Sequence, residues 1–175
     1  MITDPRYPIG TFRPQPSITD AQRREMIQQI AEAPNRVRDA VRGLGEVQLN
    51  TPYREGGWTI RQVIHHLPDS HMNAYVRFKL AVTEDTPAIK PYLENLWADL
   101  HDARHAPVES SLLLLESLHA RWVMFLQSLQ PADFARTFSH PEHGTKNLDF
   151  LVQLYSWHGR HHTAQITSLR ERKGW

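Results

Sequence analysis

With 175 residues, 40% of them hydrophobic and 22% charged, the chain is long enough for one well-buried core and short for two domains. A formal net charge of +1 without a long run of one sign excludes the electrostatic footprint of a nucleic-acid binder, and no apolar run approaches the roughly 20 residues that span a bilayer. The absence of cysteine removes disulfides, thiolate-held metals and a cysteine nucleophile, which leaves 11 histidines as the unusual feature of the composition.

The N-terminus, Met1-Ile2-Thr3-Asp4-Pro5, lacks the basic-then-apolar layout of a signal peptide, so a cytoplasmic protein is expected. Residues 1–16 carry Pro5, Pro8, Pro14 and Pro16, too many for a helix, and predict an extended arm over the surface. Thr19-Asp20-Ala21-Gln22 reads as a capping box for a first helix over about 18–44, with Met26, Ile27, Ile30, Val37, Val41 and Leu44 on its inner face. Pro34 falls inside that pattern and predicts a kink or a break, and Gly43 and Gly45 supply the stop. A turn-rich loop leads to a second capping box at Thr59-Ile60-Arg61-Gln62. Helix two follows over about 59–82, burying Ile60, Val63, Ile64, Leu67, Ala74, Tyr75, Phe78 and Val82. Pro68 pushes against the carbonyl of Ile64, so a kink is expected beside His65 and His66.

From Thr83 to about Pro107 the periodicity fails, with Tyr92–Leu100 the one candidate for a short helix. A connection this long is expected to cross the bundle or to lid a cavity. Helix three, over about 108–129, repeats Leu112, Leu115, Leu118, Trp122, Phe125 and Leu129 before Pro131 stops it. Phe138 to Thr145 reads as a loop, and Asn147 caps helix four over about 147–172. Four amphipathic segments with little strand pattern predict an all-α fold: a four-helix bundle forming a single domain over 1–175, with a Pro-rich arm and a long connection between helices two and three.

Leu148, Leu151, Leu154, Tyr155, Ile166 and Leu169 mark the inner face of helix four, and His158 and His162 fall within it, one turn apart. Buried neutral imidazoles need polar partners, which a shared divalent cation supplies; packing against neighbouring side chains is the plain alternative. His161 points roughly 60° away from His158, towards Trp157 and Phe150, and reads as a neighbour. On helix two the wheel puts His66 at a margin shared with Ser70, Asn73 and Arg77, and His65 on the far side. His71 lies in the apolar stripe, where a packed, hydrogen-bonded histidine is the plain reading. The residues alone therefore leave His66 and His71 both open as a third nitrogen. His101 and His105 sit in a charged stretch and read as solvated; His119 lies beside the core of helix three, and His140 and His143 fall on a loop that would line an entrance.

Several motifs together carry a family resemblance: Tyr7-Pro8-Ile9-Gly10, the run from Thr51 through Gly56-Gly57-Trp58 to His65-His66-Leu67, Asp69 to Tyr75, Ala88-Ile89-Lys90-Pro91-Tyr92, and Trp157-His158-Gly159-Arg160-His161-His162. In this order and spacing they resemble the YfiT-like branch of the DinB superfamily over nearly the whole chain. The resemblance implies a DinB-like four-helix bundle in which three histidines hold one divalent metal ion per chain, zinc or nickel. It carries two ligands onto His158 and His162 and the third onto His66, the histidine directly before the leucine of His-His-Leu. That choice agrees with the polar margin on the wheel. Relatives commonly have alanine after that leucine where this chain has Pro68, and a kink there would move His66 relative to the other two.

The activity the resemblance implies is metal-dependent hydrolysis of a small-molecule substrate. Transfer of a low-molecular-weight thiol co-substrate such as bacillithiol is the alternative, because the wider superfamily contains such transferases. A non-catalytic, metal-stabilised helical binding protein is the third reading. Three neutral nitrogens leave a coordination position open, as in catalytic zinc sites. No glutamate stands beside a ligand histidine as on a zinc-protease helix, so the candidates for acid–base or substrate-binding roles are the groups near His66: Asp69, Ser70, Asn73, Tyr75 and Arg77. Neither nucleic acid nor membrane is expected as a partner, and a homodimer is the assembly left open.

Overall fold

The computed structural model describes residues 4–175; Met1, Ile2 and Thr3, which open the expected arm and the stretch inspected for a signal, lie outside the described residues. In chain order the elements are α1 (Asp20–Val41), α2 (Glu46–Leu49), α3 (Ile60–Thr83), α4 (Glu94–Ala98), α5 (His101–His105), α6 (Val108–Ser128), α7 (Pro131–Phe134), β1 (Thr137–His140), β2 (Gly144–Asn147) and α8 (Leu148–Lys173).

The helix starts follow from their caps. The Thr19 hydroxyl accepts the Gln22 amide while the Gln22 side chain accepts the Thr19 amide, and Thr59 with Gln62 repeats the arrangement. Asn147 accepts from the amide of Phe150 to open α8. α1 stops at Val41, short of the expected Leu44, because Gly43 turns the backbone left-handed at φ +79°. Of the kink or break expected at Pro34, the break does not occur: α1 runs through Pro34, and α3 runs through Pro68. Each proline costs its helix one hydrogen bond, at the carbonyls of Ile30 and Ile64, and the neighbouring helices hold the rest in place.

α1 packs against α8 and α6, and α3 packs against the same two helices. The consecutive long helices α1 and α3 therefore stand at diagonal corners of the bundle, as do α6 and α8. The core divides into two apolar clusters along the bundle. One gathers Ile27 and Ile30 of α1, Ala74 and Phe78 of α3, Trp122 and Leu126 of α6, and Leu148 to Tyr155 of α8. The other gathers Val37 and Val41 of α1, Ile60 to Leu67 of α3, Leu112 and Leu115 of α6, and Ile166 and Leu169 of α8. Each long helix thus carries two apolar stretches separated by about two turns, and by about three in α8.

Two segments depart from the sequence reading. Phe138 to Thr145, expected as a loop, belongs to an antiparallel hairpin in which Phe138 faces Lys146 and Ser139 faces Thr145. Its strands are too short to show alternation, and the hairpin is fixed from outside: Phe138 is 1% exposed, and Ser139 exchanges backbone bonds with Ile89 at 2.8 Å and Pro87 at 3.0 Å. The connection after α3 is thereby pinned beside the hairpin, and it folds into α4 within the expected Tyr92–Leu100 stretch and into α5 beyond it. Among the described residues no helix is long and apolar enough to cross a membrane.

Candidate metal centre

Between the two apolar clusters the inner faces of the long helices turn polar, and a layer of histidines cuts across the bundle. His66 and His71 come from α3, His119 from α6, and His158 and His162 from α8. Gly159 sets the approach of α8 to α1 at this level, since a Cβ there would stand 3.1 Å from the Cβ of Ala33.

One ring nitrogen from each of His66, His158 and His162 lies within 4.8 Å of the other two. His66 and His162 are buried and His158 is half-buried. Loss of water keeps all three neutral, with the neighbouring imidazoles adding to the effect: His66 is pushed down to about 3, and His158 and His162 fall well below the ordinary 6.5. Neutral nitrogens offer lone pairs, and Nε2 of His66 stands 3.3 Å from Nε2 of His158. Two nitrogens bound tetrahedrally at about 2.0–2.1 Å would be about 3.3–3.4 Å apart, so the donor set fits a divalent cation such as zinc. An all-imidazole set suits nickel and copper as well.

The other histidines are held elsewhere. His65 lies across α3, bonded to the Ser111 hydroxyl at 2.7 Å and the Ala106 carbonyl at 3.1 Å. His161 stacks on Trp157 with centroids 4.3 Å apart and meets the Gln165 amide at 3.0 Å. His71 contacts His158 and His119 at 3.0 and 2.7 Å, behind the convergent group. His101 and His105 are exposed. Pro68 has not carried His66 away from the two α8 rings, whose centroids lie 5.3 and 4.9 Å from its own.

A cavity of about 570 Å³ opens onto the three rings. Its walls come from segments far apart in sequence: Tyr7 of the arm, Trp58 before α3, Tyr92 of the connection, and His140 and His143 of the hairpin. The α3 candidates divide. Ser70 and Arg77 line the cavity, within about 40° of His66 on the helix wheel. Asp69, Asn73 and Tyr75 are not brought to its wall. Tyr75 points to the opposite side of α3 and packs edge-on against Phe125. The Asn73 amide turns back to the Asp69 carbonyl at 2.9 Å. The Asp69 carboxyl is raised to about 6, chiefly by loss of water and secondly by Asp102.

Sequence reasoning passed over Trp58, whose ring centroid is 4.7 Å from that of His66, and Gln165, whose Oε1 is 2.8 Å from Nδ1 of His162. Gln165 carried a usable signal, a polar residue one turn from His162 on an apolar face. Trp58 carried none, since only the folded loop brings it over the rings.

The sequence profile of the DinB superfamily matches residues 29–166. A Bacillus mycoides protein, named as a candidate metal-dependent hydrolase, is 56% identical over 174 residues, covering 99% of this chain and 100% of its own length. A Bacillus cereus relative with the same description is 54% identical with the same coverage. Among solved structures, YfiT from Bacillus subtilis matches with a TM-score of 0.96 at 47% identity over 99% of both chains; it is described as a probable metal-dependent hydrolase with an unusual four-helix bundle topology. TT2238, described as a four-helix bundle protein, shares the fold with a TM-score of 0.58 at 19% identity, over 87% of this chain and 99% of that one. The profile spans most of the chain and the relatives match it end to end, so the chain belongs to the DinB superfamily.

Proposed function

We propose that the chain is a metal-dependent hydrolase of a small molecule, with one divalent cation held by His66, His158 and His162. The observation that carries this reading is the convergence of three neutral imidazoles within 4.8 Å at the wall of a cavity of about 570 Å³. That volume lies in the range that encloses a small-molecule ligand. The descriptions of the Bacillus relatives support the same class. A cation bound there supplies Lewis acidity, which acidifies water and polarises a carbonyl oxygen. Trp58 lies over His66 and nearly parallel to His162, and its indole limits water around the rings and strengthens electrostatic contacts within the cavity. Ser70 and Arg77 present a hydroxyl and a guanidinium from the same face of α3, where they orient the polar end of a substrate.

The test loads cation-free protein separately with zinc and nickel. Each form is assayed on ester and amide panels, and on a low-molecular-weight thiol paired with an electrophile. Hydrolysis that requires the cation and is lost in His162→Ala supports the proposal. Consumption of thiol by the electrophile without hydrolysis would replace it with thiol transfer. Tight cation binding with neither activity would replace it with a metal-stabilised binding protein.

A further inference from the structure

Pro34 lacks the amide hydrogen that would close the helical bond to the Ile30 carbonyl. That carbonyl is left with a free acceptor inside the bundle, and Nδ1 of His119 stands 2.7 Å from it. Nε2 of His119 lies 2.7 Å from Nδ1 of His71, and Nε2 of His71 lies 3.0 Å from Nδ1 of His158. A carbonyl oxygen only accepts, so His119 donates from Nδ1. A neutral imidazole has one N–H, so His119 accepts at Nε2 and His71 donates to it from Nδ1. The same rule makes His71 accept at Nε2 the Nδ1 proton of His158. His71 and His119 are 1% and 2% exposed, so water does not compete for these ring-to-ring contacts. The direction of the chain is therefore set at Ile30, and it leaves the Nε2 lone pair of His158 facing His66.

A second, shorter chain obeys the same rule. The Gln165 amide nitrogen donates to the Arg6 carbonyl at 3.2 Å and to Nε2 of His161 at 3.0 Å. Its Oε1 therefore faces Nδ1 of His162, 2.8 Å away, and accepts that proton. Nε2 of His162 is left as a lone pair on the same side as that of His158.

We propose that His119 and His71 on one side and Gln165 on the other are positioning residues. They preset His158 and His162 as Nδ1–H tautomers, whose Nε2 lone pairs converge beside His66 before any cation arrives. Pro34 frees the acceptor at which the longer chain begins. This inference rests on the reading of the three histidines as cation ligands. The longer chain draws on α1, α6, α3 and α8 in turn, so ligand orientation depends on assembly of the whole bundle. A partner on the outer nitrogen both orients a ligand imidazole and raises its basicity.

The test compares wild type, His119→Leu, His119→Gln and Pro34→Ala. Histidine tautomers are read without cation by long-range proton–nitrogen correlation NMR, zinc affinity by competition with a chelator, and stability by thermal melts. Wild type should show Nδ1–H on His119, His71, His158 and His162. In His119→Leu the direction is lost, His158 becomes a mixture of tautomers, and zinc binds about 10–100-fold more weakly. His119→Gln keeps a donor for Ile30 and an acceptor for His71, and should recover most of the affinity whatever its melting temperature. Pro34→Ala trims a buried ring and gives the Ile30 carbonyl a competing helical donor, and should weaken zinc binding by a smaller factor. Nε2–H on His158 in wild type, or an unchanged tautomer and affinity in folded His119→Leu, would overturn the inference. Unchanged values in Pro34→Ala would remove Pro34 from it. Wild type that binds zinc without these tautomers defeats the inference alone; the tautomers without zinc affinity defeat the proposed function and the purpose given to both chains.

Discussion

His162→Ala separates a catalytic cation from a structural one on energetic grounds. Without cation, the substitution removes a buried imidazole and its 2.8 Å bond to Gln165. The bond contributes about 1 kcal/mol net. The lost ring borders an existing cavity, so the packing cost is about 1 kcal/mol, below that of a sealed core position. Alanine returns about 0.5 kcal/mol of helix propensity. The net loss is about 1–2 kcal/mol, which lowers Tm by roughly 2–8 °C in a chain of this size. Folding persists because the apolar clusters on both sides of the histidine layer are untouched. Zinc at 100 times the wild-type Kd adds about 2.7 kcal/mol to wild type, a shift of roughly 5–11 °C. Losing one of three nitrogens should cost at least about 100-fold in affinity, the upper end of what losing an outer partner costs. The same zinc then adds at most about 0.4 kcal/mol to the variant, less than about 2 °C. Helical circular dichroism melts of both proteins, with and without zinc, measure every quantity. A full zinc shift in the variant would show that His162 is no ligand, and cation-free wild type that does not fold would show that the metal is structural.

Cation-free stability is expected to fall as pH drops from about 6.5 towards about 4, because His119 and His161 titrate near 4 in the fold against an ordinary 6.5. In that window the unfolded chain binds protons that the folded chain refuses, and above it neither state does; urea midpoints that stay flat across the window would refute the neutral histidine layer. Gly159→Ala should lower Tm despite better helix propensity, since its Cβ would stand 3.1 Å from that of Ala33 at the α1–α8 contact. A rise in Tm would show that this seam can relax. Nickel should quench tryptophan fluorescence in wild type and much less in Trp58→Phe, because the Trp58 ring lies 4.7 Å from His66 and 6.3 Å from His162. Equal quenching in both proteins would place the bound nickel elsewhere.

The sequence by itself determined the parts of this protein that depend on neighbours a turn or two away. Capping boxes at Thr19 and Thr59, the Asn147 cap, and apolar periods of 3.6 residues are local rules, and the four long helices appear within a few residues of where those rules put them. The shared face of His158 and His162 and the turning away of His161 follow from the same periodicity. What faces that pair was a tertiary matter. The wheel left both His66 and His71 open, and the packing of α3 against α8 set His66 beside the pair while turning His71 towards His119. The cavity wall draws on Tyr7, Trp58, Tyr92 and His140, which no local pattern connects. Pro34 shows the division most plainly: the missing amide hydrogen is written in the residue, but only the approach of α6 to α1 brings His119 to the carbonyl it frees. Periodicity says which way a side chain leaves its own helix, and the partner it meets depends on which helix packs opposite.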